Sequence, residues 1–192
     1  YWPDHFPISE QLTDKHYHMF RMDMNMILDV RPHWDSLSTY MKDLTSKSRT
    51  RVKAIMKRSA GLRFEDMDAT SIRLNAERLD KLFHNVLEGS SFTFGVLNME
   101  AYAHWSETLG DDMLFQGVYL GDMLIGFQSA FFHHDEMEVH YVGIDYDLNE
   151  EHYIYQRMLV EMLKVGIDRG VSRIHYGRTA EQAKSSLGAV PV

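Results

Sequence analysis

From Phe20 to Val30 the even positions are Phe20, Met22, Met24, Met26, Leu28 and Val30, while Arg21, Asp23, Asn25 and Asp29 fall on odd ones. A period of two predicts a strand with one buried face, which accounts for the methionines as core residues. Pro32 closes it. Trp34, Leu37, Met41, Leu44, Ser48, Val52 and Ile55 then recur at steps of three or four, one face of a helix that ends near Gly61. Leu62–Met67 reads as a short strand. Asn75–Leu87 reads as a helix with Leu79, Leu82, Phe83 and Val86 inward, broken by Gly89-Ser90-Ser91. Asn98 is placed to cap a helix over Met99–Leu109, because its side chain can accept from the free amides of a first turn.

Three apolar runs follow, Met113–Leu120, Met123–Phe132 and Met137–Ile144, separated by Gly121-Asp122 and by His133–Glu136. Such tight connections predict an antiparallel meander. Glu150–Arg169 reads as a helix stopped by Gly170, Ser172–Gly177 as a strand and Ala180–Leu187 as a short helix. The expected fold class is α/β (α+β), a mixed sheet with helices on its faces. A strand, a crossover helix and a second strand make a βαβ unit, which puts Asp145 and Arg178 at the carboxyl ends of neighbouring strands, the edge that ligands prefer.

Composition narrows the class. The 192 residues are 44% hydrophobic and 25% charged, ordinary values for a folded globular chain. No run approaches the roughly 18 apolar residues of a membrane-spanning helix. The absence of cysteine excludes disulfides, thiolate nucleophiles and cysteine-based metal sites, and suits a reducing compartment, so cytoplasmic is the expected location. His16 with His18, and His133, His134, Asp135, Glu136, Glu138 and His140 around one hairpin, invite a metal reading. Residues of one strand alternate faces, however, and ligands strung along one face do not converge on one ion, so no metal is expected. No dinucleotide, P-loop, hydrolase-elbow or zincin motif occurs.

Charge is uneven. Residues 42–58 hold Lys42, Lys47, Arg49, Arg51, Lys53, Lys57 and Arg58 against Asp43 alone, seven against one, while the whole chain carries a net −8. A local basic segment on an acidic protein reads either as a solvated helix face or as a site for phosphates or a carboxylate.

Two stretches resemble a known family. Tyr176-Gly177-Arg178-Thr179-Ala180-Glu181-Gln182-Ala183-Lys184-Ser185-Ser186-Leu187-Gly188-Ala189, with the meander and helix before it, is similar to the FemAB-like branch of the GNAT acyltransferases. Leu44-Thr45-Ser46-Lys47-Ser48-Arg49-Thr50-Arg51-Val52-Lys53 resembles the basic helix that precedes the first core strand in that branch. The resemblance spans about residues 34–189. It implies a mostly antiparallel sheet whose central parallel strands, 137–145 and 172–177, splay apart to admit an acyl donor. It divides the chain into an N-terminal extension with one strand, 1–33, read as the end of a preceding half-domain, and a GNAT-like domain, 34–192.

What it implies chemically is attack by an acceptor amine on a thioester or ester carbonyl held between the splayed strands, with backbone amides of 137–145 stabilising the oxyanion. His140 is the expected base and Asp145 its rival. Arg178 is expected to hold a phosphate or carboxylate, or else to pair with Glu181. Lys184 shares that position and otherwise is a solvated surface residue. Tyr141 and Tyr155 line the substrate region or simply pack, and Lys47 and Arg51 carry the basic contact. The acyl-CoA phosphate loop expected before helix 150–169 is replaced by Tyr146-Asp147-Leu148-Asn149-Glu150-Glu151-His152-Tyr153, acidic and without glycine. The donor is therefore acyl-CoA or, as in Fem-type relatives, aminoacyl-tRNA, and the acceptor a small-molecule or cell-wall-precursor-like amine. The alternatives are a catalytically inactive GNAT-like scaffold and a nucleic-acid-binding module using helix 42–58.

Overall fold

The computed structural model of the chain describes residues 24–89 and 98–192. The elements run β1 (Met26–Asp29), α1 (Leu37–Asp43), α2 (Ser46–Arg58), β2 (Leu62–Asp66), α3 (Ala69–Leu74), α4 (Ala76–Glu88), α5 (Met99–Leu109), β3 (Met113–Leu120), β4 (Met123–His133), β5 (Glu136–Ile144), α6 (Tyr146–His152), α7 (Ile154–Asp168), β6 (Arg173–His175), α8 (Glu181–Ser185) and β7 (Val190–Pro191). Seven strands form one sheet in the order β2-β3-β4-β5-β6-β1-β7. Every pairing is antiparallel except β5 with β6, which is parallel. The fold is the mixed, GNAT-like one expected, and the meander matches its three apolar runs.

Helices cover both faces. Tyr40, Val52, Ile55, Leu163 and Ile167 of α1, α2 and α7 pack on Met26, Leu28, Met137 and Ile174. Ile72, Leu79, Leu82, Phe83 and Tyr102 of α3, α4 and α5 pack on Phe115 and Phe127. Burial of so many large side chains, each contributing about 1.5–3 kcal/mol, holds the layers together.

Four expectations change. The helix read from 34 to 61 is two helices, α1 and α2. Leu44 turns extended, and the Thr45 side chain accepts from the Ser48 amide to start α2. Arg49 closes the joint by donating to the carbonyls of Met41 and Leu44, both at 2.9 Å. The helix read from 150 to 169 is also two, α6 and α7, parted at Tyr153, whose φ of 53° is left-handed, with Asn149 accepting from the Tyr155 amide. A short α3, capped by Asp68, precedes α4. β1 lies inside the sheet between β6 and β7, and it buries Met26 and Leu28 on one face and Ile27 on the other, so the strict one-faced pattern does not hold. Met24 is 60% exposed, and Phe20–Asp23, His16, His18 and Ser90-Ser91 lie outside the described residues.

Candidate functional site

The parallel pair is short. Glu136 opposes Arg173, Met137 opposes Ile174 and Glu138 opposes His175, and there the pairing ends. β5 continues six residues to Ile144, whereas β6 stops and the chain turns at Gly177, with φ 74°. The two central strands thus part beyond Glu138 and His175.

A bulge sits beside this parting. Ala130 pairs with Val139 and Gln128 with Val142, so His140 and Tyr141 of β5 face Ser129 alone. Such an insertion leaves one residue of the ladder unpaired and re-aims its neighbours. The Ser129 hydroxyl donates to the Tyr141 carbonyl at 2.9 Å, pinning the bulge. His140 is half-buried among aromatic rings, with Tyr141, Phe131, Tyr102 and Trp105 centroids at 4.4, 5.1, 6.0 and 6.4 Å. Its Nδ1 lies 3.0 Å from the Tyr102 hydroxyl. Burial pushes His140 down to about 4, so the ring is neutral at pH 7. Its Nδ1 faces the Tyr102 hydroxyl, so Nε2 is the ring nitrogen left to meet a substrate.

Glu138 is exposed at the last paired position and makes no ion pair among the described residues. Its neighbours are engaged. Glu136 accepts from His175 at 2.8 Å and from Arg173 at 3.2 Å, and Arg173 also reaches Asp29 at 3.1 Å.

Asp145 sits at the far end of β5, where Arg78 of α4 donates to its carboxylate at 2.8 Å and to the Leu124 carbonyl at 2.8 Å. Through Arg78 that carboxylate ties α4 to the end of the sheet. A cavity of about 240 Å³ adjoins it, lined by Arg78, Lys81, Asn85, Glu88, Asp145, Tyr146 and Asp147. Three carboxylates against two cations, one of them already paired, do not suit the diphosphate of an acyl-CoA.

At the carboxyl end of β6, Arg178 is exposed and Lys184 is 3% exposed, not a solvated residue. Lys184 Nζ donates to the carbonyls of Gly177 at 3.1 Å and Arg178 at 2.6 Å. Desolvation lowers it to about 8. Tyr141 packs on Phe83 with centroids 5.2 Å apart, and burial pushes Tyr155 on α7 up to about 12.

Lys47, Arg51, Lys53 and Lys57 are exposed on α2, a helix without a single acidic residue. Arg58 at its end lies over the Tyr153 ring, 4.2 Å from the centroid, and donates to the Glu150 carbonyl at 3.3 Å. The basic helix therefore ends beside the α6–α7 joint.

The structure brings together His140 and Tyr141 at the bulge, and Arg178 with Lys184 at the β6–α8 turn. Asp145 lies at the end of β5, Tyr155 on α7, and Lys47 and Arg51 together on α2. Sequence reasoning missed Tyr102, Trp105, Ser129 and Arg78, which look like ordinary helix or strand positions until the sheet assembles. It grouped Glu138 with His140 on one strand face without selecting it. Among the described residues no cluster of three or more His, Asp or Glu is placed to hold a metal, and no helix is long and apolar enough to cross a membrane.

Among solved structures, FemX is similar over 88% of this chain and 60% of its own, with TM-score 0.62 and 12% identity. L-PGS from Bacillus licheniformis is similar over 95% and 62%, with TM-score 0.61 and 11% identity. A conserved protein of unknown function from Bacteroides thetaiotaomicron VPI-5482 is similar over 90% and 58%, with TM-score 0.57 and 14% identity. The chain thus spans less than two thirds of the length of each. No curated protein matches it. The family model for the acetyltransferase (GNAT) domain matches residues 46–185, and with that stretch carrying the parted strands and the bulge, the chain belongs to the GNAT family.

Proposed function

We propose that the protein is an N-acyltransferase that moves an aminoacyl group from an ester on tRNA to an amine acceptor. The observation that carries this reading is the parting of β5 and β6 beside the β5 bulge, together with an acid-free basic helix that ends at the α6–α7 joint following β5. The gap between strands suits an extended acyl donor, and the bulge leaves backbone groups of β5 outside the ladder. Exposed cations are instead strung along α2, and a row of separated charges suits a phosphodiester chain better than a compact diphosphate.

In this reading the amine of a small molecule or cell-wall-precursor-like acceptor approaches on the Glu138 side, and Glu138 takes its proton. Arg178 steadies a phosphate or carboxylate of one substrate, Lys184 holds the turn that carries Arg178, and Asp145 fixes the end of β5. Tyr141 forms part of the aromatic wall. Tyr155 has a packing role on α7. In this reading the protein would act in the cytoplasm.

Calorimetry with aminoacyl-tRNA, coenzyme A and acetyl-CoA, at low and moderate salt and with Arg178→Ala as a control, tests the donor. Saturable binding of aminoacyl-tRNA that weakens steeply with salt is the expected result. Binding of coenzyme A instead would make acyl-CoA the donor. Binding of neither would leave a GNAT-like scaffold without transfer activity.

A further inference from the structure

The buried phenol of Tyr102 has to place its proton. Tyr102 is 0% exposed on α5, and its hydroxyl lies 3.0 Å from His140 Nδ1, with the Ser129 side chain as its other polar neighbour. Burial raises its ionisation well above the ordinary tyrosine value, so the oxygen keeps its proton. A buried hydroxyl that donates nowhere costs about 1–3 kcal/mol. The competing acceptor is the Ser129 oxygen, which bears on the phenol while its own proton goes to the Tyr141 carbonyl. Of the two, the His140 contact is the one with a hydrogen-bond distance, 3.0 Å, which favours Nδ1 as the acceptor of the phenol's proton. A neutral imidazole that accepts at Nδ1 carries its proton at Nε2. That nitrogen has no partner among the described residues and is not one of the sealed, unpartnered polar atoms of the fold.

We infer that Tyr102 locks His140 as a neutral imidazole whose Nε2–H is a fixed hydrogen-bond donor at the β5 bulge, where it polarises the acyl carbonyl of the donor rather than taking a proton. The second half rests on the acyl-transfer reading above; the first does not. In the step itself the amine lone pair forms the C–N bond and the carbonyl π pair moves onto oxygen, which accepts from Nε2–H. Collapse restores the carbonyl and breaks the bond to the ester oxygen of the donor. The surplus amine proton passes by way of Glu138 to that departing oxygen, leaving an amide and a free hydroxyl. The aromatic rings around His140 hold the ring plane, so Tyr102 is a positioning residue and His140 the catalytic one.

Long-range proton–nitrogen NMR on histidine-labelled protein at neutral pH reads the tautomer directly. The expected spectrum has Nε2 protonated and Nδ1 bare but hydrogen-bonded, and in Tyr102→Phe the Nδ1 signal moves to that of an unbonded nitrogen. In Ser129→Ala the tautomer is unchanged. A proton on Nδ1 in the native protein would overturn the proposal, since it would mean that Tyr102 donates to Ser129 and that His140 offers a lone pair. If Tyr102→Phe does not fold, the native spectrum and Ser129→Ala still decide. Once a donor is in hand, His140→Ala should lower kcat by about 100-fold or more with KM little changed, and His140→Gln, which keeps an N–H, should recover part of it. Equal loss in both variants with the expected tautomer would overturn the catalytic half alone. Absence of turnover with every donor, alongside the expected tautomer, would instead defeat the acyl-transfer reading together with that half.

Discussion

Lys184 Nζ lies 2.6 Å from the carbonyl oxygen of Arg178, and with its second bond to Gly177 it ties α8 to the turn leaving β6. The turn needs tying, because Gly177, Thr179 and Ala180 have φ of 74°, 67° and 50°, and the last two have a Cβ that disfavours such angles. Lys184→Met removes the donor while keeping much of the stem. It should destabilise the fold by about 1–3 kcal/mol, through two carbonyls left unpaired, and speed amide exchange in 177–184 well before it does so in β3 and β4. Hydrogen exchange by mass spectrometry checks this, and uniform acceleration over the whole sheet would argue against a local clamp.

The same lysine carries a pH dependence of known sign. Its folded value is lowered to about 8, below the ordinary value of about 10.4 for an unfolded chain. Between those values the unfolded state binds more protons, so stability contributed by this site rises with pH from about 8 to about 10.4. Below pH 8 both states are protonated and the penalty is constant. Denaturation of the native protein and Lys184→Met in parallel should show the difference in stability moving in favour of the native protein across that window.

Arg78 and Asp145 form a partly buried pair at the end of β5, with side chains 35% and 21% exposed. Arg78→Ala leaves the carboxylate without its partner and should lower stability by about 1–2 kcal/mol, read from a urea midpoint. Asp145→Asn keeps a hydrogen-bonding group of the same shape and should retain most turnover. A loss of several orders of magnitude in kcat with an unchanged midpoint would instead make Asp145 the base.

Glu138 has the complementary expectation. It is exposed and unpaired among the described residues, so Glu138→Gln should leave the melting temperature unchanged. As the proton acceptor it should lower kcat by about 100- to 10,000-fold with little effect on KM.

The basic face of α2 is tested by salt. Lys47, Arg51, Lys53 and Lys57 fall into two like-charged pairs four residues apart, a mildly destabilising arrangement within the helix. Lys53→Ala and Lys57→Ala should therefore leave the fold as stable or slightly more so. Each should reduce the slope of log affinity against log salt for tRNA by about 1 if it contacts a phosphate. An unchanged slope would return these side chains to plain solvation.

Much of the architecture was readable from periodicity alone, since side-chain alternation and helical spacing are local consequences of backbone geometry. The three meander strands, the Asn98 cap and α5 are of this kind: Asn98 accepts from the Ala101 amide at 2.9 Å as its residue type suggests. The joints at Thr45 and Tyr153 were not readable, because apolar spacing carries through both of them while a cap and a left-handed residue break the chain.

The site divides along the same line. The sequence by itself determined that His140 and Tyr141 lie on a strand of the meander, that a parallel crossover follows, and that α2 is basic. Only the tertiary structure decided that a bulge falls at those two residues, that Tyr102 reaches His140 from α5, that Arg78 occupies Asp145, and that Lys184 is buried. Each of those depends on which atom meets which across elements 38, 67 or 12 residues apart, or on burial by neighbours, and the energy of burying a polar group is settled by those partners rather than by the residue's own identity.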